Sequence, residues 1–259
     1  MRKREGRQAR LEEMARIKRQ QQTRRRAILI GIGVVAVVGI AYLVSRPSHH
    51  NTNVAANNTT TTTKPPSPTT TIAAPAGVGC PKLDGSSPHY QHFTAAPPMC
   101  INTAKIYTVT FQTDVGTFVA VLDPKEAPKT VNNFVFLTGY HHFDGIVFHR
   151  VVPDFVVQGG DPTGTGSGGP GYQFADELPK AGQYKVGSLA MANSGPNTNG
   201  SQFFIITGSQ GVALQPNYSL FGMVTSGMNI VQKISADGAA DPNPPKVIHK
   251  MIKVTVAET

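Results

Sequence analysis

The run KIYTVTFQTDVGTFVAVL, residues 105–122, alternates apolar and polar positions on either side of Thr113-Asp114-Val115-Gly116. Period-two alternation about a turn predicts a β-hairpin. The period then changes: Ala127, Val131, Phe134 and Val135 recur at i, i+4, i+7 and i+8, which predicts a helix capped by Asp123, with Pro124 in its first turn and Gly139 at its end. Beyond the Asp144-Gly145 turn, short β-rich runs return at 146–152, 155–158, 188–192, 202–206 and 219–224. A second short helix is expected over 226–235, where Ile230, Val231 and Ile234 share one face, and VIHKMIKVTV, 247–256, supplies a closing strand. Many short strands with two isolated helices argue for a mainly β fold, a closed barrel whose ends the helices cap.

Ahead of these elements the pattern is of another kind. AILIGIGVVAVVGIAYLV, residues 27–44, is uncharged and apolar on every face, which fits a membrane span better than a buried helix. Residues 1–26 carry eleven Lys/Arg against three Glu, so this end is expected in the cytoplasm and everything after Val44 outside it. A cleaved signal peptide is the rival reading. The long basic segment, and Ser45-Arg46-Pro47 in place of small cleavage-site residues, favour an uncleaved single-pass anchor in the cell membrane. Residues 45–79, rich in Thr, Pro, Asn and Ala, hold too little apolar surface to offset ordering and read as a disordered spacer. Its Thr/Pro clusters and Asn57-Asn58-Thr59 suit glycosylation.

Charge narrows the function classes. With a local excess of eight in residues 1–26, the other 233 residues carry about +1 of the formal +9, so the domain has no cationic stripe for phosphates and nucleic acid is not an expected partner. The two cysteines, Cys80 and Cys100, bracket a Pro/Ser-rich loop within 80–104. An even count in an exported segment reads as a disulfide, with free thiols or a zinc site including His89 and His92 as alternatives.

The remaining segment, 105–259, has the size of one domain. In FHRVVPDFVVQGGD, residues 148–161, a strand-like run carries His149 and Arg150 at one end and Gln158-Gly-Gly-Asp at the other. An arginine set in an apolar strand is either a structural ion-pair partner or is aimed into a pocket. GTGSGGPG, 164–171, lacks the Lys-Ser/Thr ending of a phosphate loop. MANSGPNTNGSQFFI, 191–205, packs polar turn residues between apolar strands. No Gly-x-Ser-x-Gly elbow and no His/Glu/Cys cluster at catalytic-metal spacing occurs in the chain, so neither metal nor cofactor is expected.

Together, FHRVVPDFVVQGGDPTGTGSGGPGYQFADE, SLAMANSGPNTNGSQFFI and LFGMV resemble the cyclophilin family of peptidyl-prolyl cis-trans isomerases, over the segment from about Lys105 to the C-terminus. The tethered arrangement looks like that of membrane-anchored actinobacterial members. The resemblance implies a closed antiparallel eight-stranded β-barrel capped by two α-helices, and a cofactor-free monomer that acts on Xaa-Pro bonds of exported polypeptides. It implies a catalytic set of Arg150, Gln158, Phe155 and His149. Met191, Phe204 and Leu214 are implied to form, with Phe155, an apolar cup for the proline ring. Ala192, Asn193 and Tyr218 would flank it, and Gly166 and Ser194 would line the neighbouring sub-pocket. Two positions depart from the family pattern: Ala213 stands before Leu214 where tryptophan is common, and Tyr218 stands where histidine is common. Weak cyclosporin binding is therefore expected. A non-catalytic proline-peptide-binding or chaperone module at the cell envelope is the alternative.

Overall fold

Within residues 73–259, which the computed structural model describes, the first alternating run folds as β1, Tyr107–Thr113, and β2, Gly116–Leu122. Phe111 lies opposite Phe118 in the register, and their rings stack at 4.5 Å. The anchor expected at 27–44 and the basic segment before it lie outside the described residues, as does the spacer up to residue 72. Among the described residues, no helix is long and apolar enough to cross a membrane.

The helix after β2 begins later than its caps suggest: α1 spans Pro128–Gly139, with Pro128 in its first turn. Asp123 instead closes a preceding turn, accepting from the backbone N–H groups of Lys125 and Glu126 at 3.2 Å. The helix is capped from far along the chain. Glu177 accepts from the N–H groups of Lys129 at 3.0 Å and Thr130 at 2.8 Å, placing a carboxylate where orphan donors and the helix dipole favour one.

The remaining strands are β3 Arg150–Val152, β4 Val156–Gly159, β5 Ser188–Met191, β6 Phe203–Ile206, β7 Leu220–Ser226 and β8 Met251–Glu258. A short α2, Ser209–Val212, follows β6, and α3, Met228–Ala236, follows β7. α2 was not legible because four residues show no helical period. All eight strands form one antiparallel sheet in the order β3-β4-β6-β5-β7-β2-β1-β8. In place of the expected closed barrel, the sheet is curled and its end strands, β3 and β8, share no ladder. Its edges are joined by a bridge between Val147 and Lys250, with Phe148 N–H donating to His249 O at 2.9 Å, Met251 N–H to Ile146 O at 2.9 Å and Gly145 N–H to Met251 O at 2.7 Å.

Alternation sorts the side chains into two clusters. Val151, Val157, Leu189, Met191, Phe203 and Ile205 join β1, β2 and α1 in the interior. There Phe134 of α1 meets Phe111, Phe143, Phe203 and Phe221 at centroid distances of 6.1, 4.7, 5.3 and 5.1 Å. The opposite parity, Val156, Ala190, Phe204 and Ile206, packs with Tyr184 in a second cluster on the other face. That second cluster is the floor of the candidate site.

Residues 73–79, expected within the spacer, pack against the domain. Ala74 is buried and its N–H donates to His92 O at 2.7 Å. Phe93 enters the main core, and its N–H donates to Pro170 O at 2.7 Å. Contact is close enough to require glycine on the domain side. A Cβ on Gly139 would lie 2.5 Å from Pro81, and one on Gly171, at φ +97°, 2.3 Å from Phe93 O. Cys80 and Cys100 are disulfide-bonded with Cα atoms 5.4 Å apart, which takes up both sulfurs that a zinc site would need. Closing a loop of this length contributes about 3 kcal/mol. Reduction is expected to lower the unfolding free energy by about that amount in a denaturant titration. A loss below about 1 kcal/mol would show that packing alone holds the segment.

Candidate functional site

The β3–β4 hairpin pairs Arg150 with Gln158, and β4 pairs Gln158 with Phe204 of β6. Residues opposite one another share a face, so the three side chains stand together on the outer face, over the second cluster. Asp154, at φ +59° in the hairpin turn, extends this arrangement. Its carboxylate accepts from Ser209 N–H at 2.8 Å and Ser209 Oγ at 2.9 Å, tying down α2 and with it Leu214. Tyr218 is fixed through Tyr184, whose hydroxyl donates to Tyr218 O at 2.7 Å and accepts Tyr218 N–H at 3.1 Å. Burial pushes the Tyr184 phenol up to about 12, so it stays a neutral donor. The Tyr218 ring meets Phe204 edge-on at 5.3 Å.

These elements enclose a cavity of about 280 Å³. Arg150, Phe155, Val156 and Gln158 come from the hairpin; Ala192, Asn193, Phe204, Leu214 and Tyr218 complete the wall. A larger cavity of about 690 Å³ shares Gln158, Ala192 and Asn193, and includes Gly166, Ser194, Gln202 and His92. The two form adjoining subsites. Asn193 holds their shared rim: its amide donates to Asn217 O at 2.9 Å and its carbonyl accepts Gly195 N–H at 3.3 Å.

Polar contacts run through both cavities as one chain. The Arg150 guanidinium lies with Cζ 5.4 Å from the Phe155 centroid, and its Nη1 donates to Gln158 Oε1 at 3.1 Å. Gln158 Nε2 donates to Gln202 Oε1 at 3.0 Å, and Gln202 Nε2 donates to the carbonyls of Gly166 and Gly168 at 2.9 Å each. The loop carrying those carbonyls is organised by Asp161, a fully buried carboxylate. Burial pulls its carboxyl up, but hydrogen bonds from Thr163 and from the N–H groups of Gly168 and Gly166 outweigh it and hold it below the ordinary range.

Ten of the twelve residues expected at the site line one or both cavities. Met191 and His149 do not. Met191 is fully buried and paired with Phe203 in the β5–β6 register, so alternation turns it inward beneath the site. The apolar position expected of it is filled by Val156, which the sequence reading missed. Its parity with Gln158 is the signal that would have found it. The ring nitrogens of His149 are buried without a hydrogen-bond partner, and burial holds the imidazole below its ordinary range. The ring lies under the glycine loop, where a Cβ on Gly166 would be 3.6 Å from it. The result is an apolar cup with a fixed cation at its lip. Such a site offers hydrogen-bond donors to a developing lone pair.

A family model described as cyclophilin type peptidyl-prolyl cis-trans isomerase/CLD matches residues 108–256. The chain is 44% identical over 132 residues to peptidyl-prolyl cis-trans isomerase CYP18-2 of Arabidopsis thaliana, covering 49% of this chain and 80% of that protein. It is 42% identical over 154 residues to peptidyl-prolyl cis-trans isomerase-like 1 of Aspergillus fumigatus, covering 58% of this chain and 95% of that protein. Among solved structures, a cyclophilin type peptidyl-prolyl cis-trans isomerase of Cryptosporidium parvum superposes with a TM-score of 0.55 at 32% identity, covering 60% of this chain and 99% of that one. The same protein solved in the presence of the dipeptide Ala-Pro superposes with a TM-score of 0.54 at 32% identity, covering 59% and 99%.

Proposed function

The chain belongs to the cyclophilin-type peptidyl-prolyl cis-trans isomerase family and is an enzyme of that class, and on that premise we propose that Arg150 lowers the barrier to Xaa-Pro rotation in the smaller cavity. The barrier, about 20 kcal/mol, comes from conjugation of the prolyl nitrogen lone pair into the carbonyl. Twisting the amide frees that pair, and the pyramidal nitrogen becomes a hydrogen-bond acceptor. No bond is made or broken, so the site needs only to prefer the twisted amide.

Phe155, Val156, Phe204 and Leu214 hold the proline ring, and Arg150 donates to the nitrogen as it pyramidalises. Gln158 steadies the guanidinium, and Asn193 presents its backbone to the peptide. The neighbouring cavity takes the residue before proline, against Gly166 and Ser194. The observation that carries this reading is a guanidinium hydrogen-bonded to Gln158 at the lip of an apolar cup that also holds Phe155 and Phe204. The solved relative with Ala-Pro supports that dipeptide as the probe. Titrated into the full chain, an Ala-Pro peptide is expected to shift the amide resonances of Ala192, Asn193, Phe204 and Leu214. Shifts confined to residues that line neither cavity would overturn the assignment. With Ala213 in place of tryptophan, cyclosporin binds weakly, and a nanomolar titration would contradict this.

The enzyme acts on exported polypeptides, tethered outside the cytoplasm by residues 27–44 in the manner of actinobacterial members. The basic flank at 1–26 and the Cys80–Cys100 disulfide, a bond favoured in oxidising compartments, support this location. Protease protection of residues 80–259 in inverted but not right-side-out membrane vesicles is the expected result, and the reverse pattern contradicts it.

A further inference from the structure

After α3 the chain does not run directly into β8. Gly238 N–H donates to Ser235 O at 3.1 Å, and Ala239 N–H donates to Val151 O at 3.0 Å, so the loop docks along the free edge of β3, beside Arg150. Its return is pinned where Lys246 N–H donates to Asp237 O at 2.8 Å. Buried His249 bridges Asp237 at 2.9 Å and Asp114 at 3.0 Å. Two residues beyond Ala239, Asp241 faces the guanidinium: Arg150 Nε donates to Oδ1 at 3.0 Å, and Nη2 donates to Oδ2.

We infer that Asp241 is a positioning residue that fixes the rotation of the Arg150 guanidinium for catalysis. This rests on the assignment of Arg150 as the catalytic donor. A guanidinium has five N–H donors. Asp241 engages Nε and Nη2, along one side of the fork, and Gln158 takes one hydrogen of Nη1. One hydrogen on each Nη remains, and that of Nη2, its other hydrogen turned to Asp241, points to the end of the fork, the edge available to a prolyl nitrogen. The carboxylate therefore orients the donor without covering it. Side chains 34% and 48% exposed form a pair that adds little to stability, so its effect falls on geometry. Small misplacements of a catalytic group cost up to about a hundredfold in rate.

The test is a double-mutant cycle on the full chain, with Ala-Pro peptide exchange measured for wild type, Asp241→Ala, Arg150→Ala and the double variant. Asp241→Ala is expected to lower kcat about tenfold with KM within about twofold, and to change the Arg150→Ala rate by less than about twofold. The Arg150 Nε–H resonance, protected from solvent exchange in the wild type, is expected to lose that protection in Asp241→Ala. A fast wild type and slow Arg150→Ala, with Asp241→Ala unchanged or faster, would overturn the positioning role alone. An equal fall in both backgrounds would also overturn it, as a purely structural effect. An inactive wild type, or Arg150→Ala at the wild-type rate, would overturn the assignment on which it rests.

Discussion

Arg150→Ala is expected to slow Xaa-Pro isomerisation about a hundredfold, on the order of 3 kcal/mol of transition-state stabilisation. The chain's fold should survive the change. Arg150 is partly exposed, and its ion-pair partner Asp241 is more so, so an unpaired Asp241 remains solvated. The loss should lie mainly in kcat, because the planar ground-state amide has its lone pair delocalised and offers the arginine little to bond. Arg150→Lys separates charge from geometry: it keeps the cation but loses the fork that engages Asp241 and Gln158 together, so it should recover less than about a tenth of the wild-type rate. Full activity in Arg150→Lys would show that charge alone suffices.

The second large effect is expected at Asp161, and in stability. Its carboxylate accepts from Thr163 N–H at 2.7 Å, Gly166 N–H at 2.6 Å, and the N–H groups of Thr165 and Gly168 at 3.1 Å each. Asp161→Ala leaves these donors without their shared partner. The expected loss is about 4 kcal/mol, from several unsatisfied groups at about 1–3 kcal/mol each with partial relaxation toward water. Asp161→Asn should cost nearly as much, because its amide NH2 would face N–H donors. The folded carboxyl titrates below its ordinary range, so its contribution is present above the unfolded value of about 3.9 and is lost as pH falls through the folded one. Denaturant titrations of wild type and Asp161→Asn should therefore converge in acid. A pH-independent gap would show that the stabilisation does not come from the carboxylate's charge.

The pattern of local hydrophobicity made the hairpin, both longer helices and most strands readable, because each buries one parity or one stripe against a common core. It also marked the run at 148–161 that carries Arg150, within a single hairpin, while the resemblance to the cyclophilin family brought in Phe155 and Gln158. It failed where the outcome depends on partners remote in sequence. Met191 turns inward because the face of β5 is set by its pairing with β6, which no local period reveals. The start of α1 depends on Glu177, and the orientation of Arg150 on Asp241, 91 residues away. Asp161 ends the run at 148–161, yet its role as a hub is visible only once the loop folds over it.

Exchange NMR of an Ala-Pro peptide with a substoichiometric amount of the full chain tests the isomerase assignment most directly. Without a catalyst the two isomers interconvert over about tens to hundreds of seconds. Cis-to-trans cross-peaks appearing within about a second, and abolished in Arg150→Ala, are the expected result. A folded wild-type chain that leaves exchange at the uncatalysed rate contradicts a prolyl isomerase site in this groove.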